Sequence, residues 1–324
     1  MMILIAIQSI AFASSLLLWA YRFSVRRKHG NLLRKRTPHT VSPLGVVDVG
    51  TTVLIWFMFQ LFGLIPVCLF MDIEFSQLSE MENLSAEQLL EFSGYMMLMQ
   101  LAATFIAMVC FIVRYQRVAW LGTANRFRDD VVVGMAAALM LIPVVMLIQL
   151  VVTQLIPYEH PTLDSLSDNF SFGTACWAWI AAVGVAPIAE EFFFRGVLQG
   201  WLERVFDYDE PHEIRFIGGH LNPETANAIA TVSAQQKLIQ NLAPILITSV
   251  IFAGVHFGQG PAPIPLFFLS LGLGYLFRQT GSFWPCVIVH LVLNAMSMTI
   301  LTLSLIYPEL APAEAEPAAT FLFF

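Results

Sequence analysis

Of the 324 residues, 57% are hydrophobic and only 12% are Asp, Glu, Lys or Arg, which excludes an ordinary soluble domain. The formal net charge of −7 is spread over separate loops, and the basic residues gather in one juxtamembrane stretch without a nucleic-acid-binding motif around them, so no nucleic-acid partner is expected. The four cysteines, Cys68, Cys110, Cys176 and Cys286, lie inside apolar runs without CxxC spacing and read as small core hydrophobes.

Apolar runs long enough to cross a hydrocarbon core as helices are expected at 2–21, 46–71, 94–113, 131–155, 172–190 with a helical extension to 206, 240–257, 262–278 and 283–306. The fold class is therefore all-α, a polytopic transmembrane helical bundle of about eight spans. Gly and Pro interrupt helices here instead of marking hairpin turns, which argues against barrel strands. Three regions follow: N-terminal helices and loops over 1–170, a helical core over 171–306 with a polar insertion at 207–239, and a short acidic tail at 307–324.

The loop charges orient the bundle. Arg22, Arg26, Arg27, Lys28, Arg34, Lys35 and Arg36 follow the first run, so it reads as an anchor with its N-terminus outside and the 22–45 loop cytoplasmic. Asp72, Glu74, Glu80, Glu82, Glu87 and Glu91 place the next loop outside. Arg114, Arg117, Arg126 and Arg128 face in, Glu159, Asp164 and Asp168 face out, and Arg278 faces in. The 207–239 insertion is then cytoplasmic, and a multi-pass location in a cell (inner) membrane is expected, with the lipid bilayer as solvent and partner. Oligomeric state is not legible.

Ionisable residues within spans are costly, about 2.5 kcal/mol or more each on insertion scales, and mark function by default. They cluster in Pro187-Ile188-Ala189-Glu190-Glu191-Phe192-Phe193-Phe194-Arg195-Gly196. Arg195 lies four positions from Glu191 and on its face, so those two should pair. Glu190 stays uncommitted and suits a general base. Pro187 cannot donate a backbone hydrogen bond, so a kink there exposes carbonyls and makes room for water beside Glu190. Phe252-Ala253-Gly254-Val255-His256 and His290-Leu291-Val292-Leu293-Asn294 each put two functional side chains on one helix face. An antiparallel pairing of the fifth and sixth spans brings Glu190 and His256 level. Phe192, Phe193 and Phe194 read as packing, and Ser270 with Gly274 as a small-residue helix contact.

The set EExxxR, FxxxH and HxxxN, in that order within consecutive spans, resembles the CPBP intramembrane proteases. That group includes type II CAAX prenyl endopeptidases and bacteriocin-processing or immunity-associated, Abi-like proteins. The resemblance covers roughly 172–306 and implies hydrolysis of a peptide bond near the membrane surface, in a peptide or membrane-protein substrate such as a CAAX tail or a leader peptide. It implies Glu190 and His256 as water activators, His290 and Asn294 as oxyanion donors, Glu191 and Arg195 as orienting groups, and Phe252 as a substrate contact. Zinc held by Glu190, His256 and His290, or direct action of these groups on water, both fit the residue types. A catalytically silent immunity or binding protein of the same fold and a proton-coupled transporter are the competing classes.

Overall fold

A computed structural model describes residues 2–29, 42–74, 85–115, 127–156, 170–207 and 233–307. Among the described residues every regular element is a helix. They are α1 (Met2–His29), α2 (Val46–Met71), α3 (Ala86–Tyr115), α4 (Phe127–Thr153), α5 (Phe172–Val205), α6 (Ala234–Val255), α7 (Pro263–Thr280) and α8 (Trp284–Ile306). Six of them, α2 to α6 and α8, are long and apolar enough to cross a membrane. The other two expected crossings, at 2–21 and 262–278, are present as the helices α1 and α7. Arg34, Lys35, Arg36, Glu80, Glu82, Arg117, Arg126, Glu159, Asp164 and Asp168 lie outside the described residues, as do 208–232 of the insertion, the tail beyond Tyr307 and the side chains of Arg27, Lys28 and Glu87.

Local sequence explains two boundaries that differ from expectation. The polar stretch expected to remain a loop to 239 is helical from Ala234, because Ser233 and Gln236 form a reciprocal cap. The Ser233 Oγ accepts the Gln236 N–H at 3.2 Å, and the Gln236 side chain accepts the Ser233 N–H at 2.9 Å. At the other end α6 stops at Val255, and His256 begins a turn with Gly258 and Gly260 at positive φ before Pro263 opens α7.

The bundle is apolar outside and encloses buried polar and charged residues within its apolar core. Leu69, Phe70 and Leu155 stand exposed on its surface, whereas Glu191, Arg195, Gln199 and Glu203 of α5 are buried. Helix α5 runs through the middle, with Phe192, Phe194 and Val197 in the same apolar core as Phe111 of α3, Phe252 of α6, Leu269 and Leu273 of α7, and Val289 and Leu293 of α8. Close helix approach replaces the hydrophobic effect as the means of association. A Cβ at Gly134 of α4 would lie 2.6 Å from the Ile288 side chain of α8, and one at Gly272 of α7 would lie 2.7 Å from Leu141 of α4. The core reading of the cysteines holds for Cys68 and Cys286 but not for Cys110 and Cys176, which are exposed. A helix that faces lipid is apolar all round, so an apolar neighbourhood does not mark the buried face.

Candidate active site

The helix that carries Glu190 changes gauge twice. Ile180–Val185 and Phe192–Gln199 are π-helical, and the α-helical Ala186–Glu191 lies between them. The wider register is explicit in the Ala186 N–H, which donates five residues back to the Ala181 carbonyl, and in the Gly200 N–H, which donates to that of Arg195. Such insertions in α-helices recur at functional sites. The next residue after Ala186 is Pro187, which has no N–H, so the next carbonyl in that register, that of Ala182, has no helical donor. Asn294 of α8 donates its Nδ2 to the Ala182 carbonyl at 2.7 Å.

Glu191 is the hub of the inner site. Its Oε2 accepts from Arg195 Nε at 2.9 Å, as the spacing predicts, and its Oε1 accepts from His290 Nδ1 at 3.0 Å. Arg195 also donates from Nη2 to Ser270 Oγ of α7 at 2.9 Å, and its guanidinium carbon stands 5.3 Å from the centre of the Phe252 ring. Glu191, Arg195, Ser270 and Phe252 are completely buried, and His290 and Asn294 nearly so. Phe252 is enclosed by Phe194, His256 and His290 as well as Arg195, so it forms the inner wall of the site.

Glu190 and His256 form the outer layer. The Glu190 Oε2 is 3.9 Å from His256 Nε2, too far for a direct hydrogen bond. These two side chains keep 26% and 13% of their surface, and the Glu190 Oε2 atom has no hydrogen-bond partner. His256 Nδ1 lies 2.7 Å from the Phe252 carbonyl. A carbonyl can only accept, so Nδ1 carries a proton and, in the neutral ring, Nε2 offers its lone pair toward Glu190.

A polar zipper ties this site to the far end of the bundle. Arg195 meets Ser270, the Gln199 amide donates to the Gly274 carbonyl at 2.9 Å, and Glu203 pairs with Arg278 at 3.5 Å. Each rung is four residues beyond the last on both helices, so α5 and α7 run parallel with one polar contact per turn. The Ser270 and Gly274 pair is indeed a helix contact, but it works through hydrogen bonds. Gln199 and Glu203 were not singled out from sequence, although the spacing 191, 195, 199, 203 on one helix face was there to be read.

The expected zinc ligands Glu190, His256 and His290 share this region. Among the described residues no three His, Cys, Asp or Glu side chains stand close enough to hold a metal ion, although each imidazole commits its Nδ1 to a carbonyl or carboxylate, the usual support for a ring that ligates through Nε2.

A family model described as type II CAAX prenyl endopeptidase Rce1-like matches residues 172–296, the stretch from the first residue of α5 to just beyond Asn294. No curated protein and no solved structure matches the chain.

Proposed function

We propose that the chain, whose residues 172–296 match the Rce1-like type II CAAX prenyl endopeptidase family model, is an intramembrane endopeptidase in which Glu190 and His256 activate water against a peptide bond. The observation that supports this most directly is that Glu190 Oε2 and His256 Nε2 face each other at 3.9 Å, beyond direct hydrogen-bond reach and with Oε2 unpartnered, in the one layer of the site that keeps exposed surface.

In this reading Glu190 takes a proton from the water as its oxygen attacks the scissile carbonyl carbon, and His256 Nε2 accepts the water's second hydrogen bond and aligns it. His290, protonated on both nitrogens, keeps Nδ1–H on Glu191 and turns Nε2–H to the developing oxyanion. The charges of Glu190, Glu191, Arg195 and His290 then sum to zero, as a low-dielectric site requires. Collapse of the tetrahedral intermediate breaks the C–N bond while Glu190 returns its proton to the leaving amine. No step runs through a metal. The substrate class is a peptide presented at the membrane, a CAAX tail or a leader peptide. The topology proposed with it has eight crossings, the N-terminus outside, and loops 22–45 and 207–239 in the cytoplasm of a cell (inner) membrane.

The test compares wild type with Glu190→Gln for cleavage of membrane-derived peptides by mass spectrometry, with and without chelator. Cleavage lost in the variant and kept in chelator supports the proposal. Equal cleavage by both proteins overturns it, and no cleavage by either favours a silent binding protein of the same fold.

A further inference from the structure

We infer that Asn294 is a positioning residue whose amide closes a backbone gap that Pro187 opens in α5, and so holds the widened turn that aims Glu190. The inference rests on the proposed function only where it names Glu190 as the group being aimed. Its structural core stands apart from that.

In the π-helical turn before Pro187 each N–H reaches five residues back, as Ala186 does to Ala181. Continued by one residue, the pattern asks position 187 to donate to Ala182, and a proline cannot. A carbonyl left bare in a low-dielectric interior is strongly unfavourable, so it must find a donor elsewhere. The donor is Asn294 Nδ2, which arrives from α8 at 2.7 Å and is itself buried.

The placement has a consequence for the site. Asn294 and His290 lie one turn apart on α8, and they grip α5 at two points, Ala182 before Glu190 and Glu191 just after it. The segment that carries Glu190 is thus fixed from both sides by a single helix. An amide already donating to the backbone in this way supports the shape of α5, which is a different task from donating to a reacting oxygen.

Pro187 makes the two tasks separable. With alanine at 187 an N–H returns, and α5 can satisfy its own carbonyls in either helical register. The experiment measures the full chain in nanodiscs as wild type, Asn294→Leu, Pro187→Ala and the double variant, by thermal unfolding, hydrogen exchange of peptides from 180–190, and cleavage of a farnesylated CAAX peptide. Asn294→Leu should lower the unfolding midpoint by about 2–6 °C, speed exchange in that segment, and cut cleavage roughly tenfold to a hundredfold. In the Pro187→Ala background the same change should lose less than half as much midpoint and leave exchange nearly unaltered.

Equal losses in the two backgrounds overturn the inference. If Asn294→Leu alone does not fold, recovery of folded protein by adding Pro187→Ala supports it, and failure of both to fold overturns it. Midpoint and exchange need no substrate, so a chain that cleaves nothing but shows the coupling sinks the proposed function and leaves this inference standing.

Discussion

Glu191 and Arg195 meet at 2.9 Å with neither side chain exposed, and the carboxylate gives its second oxygen to His290 at 3.0 Å. Both oxygens of the buried Glu191 carboxylate are thus partnered, so removing Arg195 strands a buried charge. Arg195→Met should therefore destabilise the chain by about 3–5 kcal/mol, read as a lower unfolding midpoint in detergent. Adding Glu191→Gln to that variant should recover part of the loss, because the stranded carboxylate is then gone, whereas additive losses would show that the pair is not coupled.

Glu190 and His256 should behave as a unit if one water lies between them. Glu190→Gln and His256→Ala are each expected to reduce cleavage by about 10²–10⁴-fold with little change in the unfolding midpoint, since both side chains lie in the partly exposed layer. The double variant should be scarcely worse than either single one. Losses that multiply would mean that the two side chains act on different steps.

The motif residues could be read because intramembrane charge is rare, and the i, i+4 rule alone paired Glu191 with Arg195. The zipper was half legible. Its α5 positions repeat every fourth residue, but nothing local to α5 says that Ser270, Gly274 and Arg278 stand opposite, 75 residues later. The π-helical turns were hidden for a related reason. One extra residue per turn hardly alters an apolar pattern, so Pro187 announced a disturbed backbone without saying which carbonyl it would free. Cys110 and Cys176 misled because a lipid-facing surface is as apolar as a core.

Ser270 gives a direct test of whether the zipper reaches the chemistry. Its hydroxyl accepts from Arg195 Nη2, and Arg195 Nη1 already lacks a partner, so Ser270→Ala leaves a second guanidinium nitrogen without an acceptor. A cost of roughly 1–3 kcal/mol in stability is expected. Cleavage should fall only several-fold, chiefly in kcat, with Ser270→Thr restoring it where the added methyl is accommodated. A variant with unchanged stability would show that the guanidinium finds another acceptor.

Gly134 tests how tightly α4 must lie on α8. The Cβ of any larger residue would fall 2.6 Å from Ile288 Cβ and 3.0 Å from the Pro285 carbonyl. Pro285 lies in the first turn of α8 and Ile288 in the next, and neither a backbone carbonyl nor a β-carbon can yield as the far end of a flexible side chain can. Gly134→Ala should cost about 1–3 kcal/mol through overpacking, and Ile288→Ala, which removes the Cγ2 contact at 2.9 Å but keeps the β-carbon at 2.6 Å, should return only a small part of it. Because α8 also carries His290 and Asn294, a forced separation there should propagate to Glu191 and Ala182 on α5. Cleavage should therefore fall together with the unfolding midpoint in Gly134→Ala and rise with it in the double variant. Stability that recovers without activity would show that α8 had settled in a new position, with its imidazole and amide no longer opposite their partners on α5.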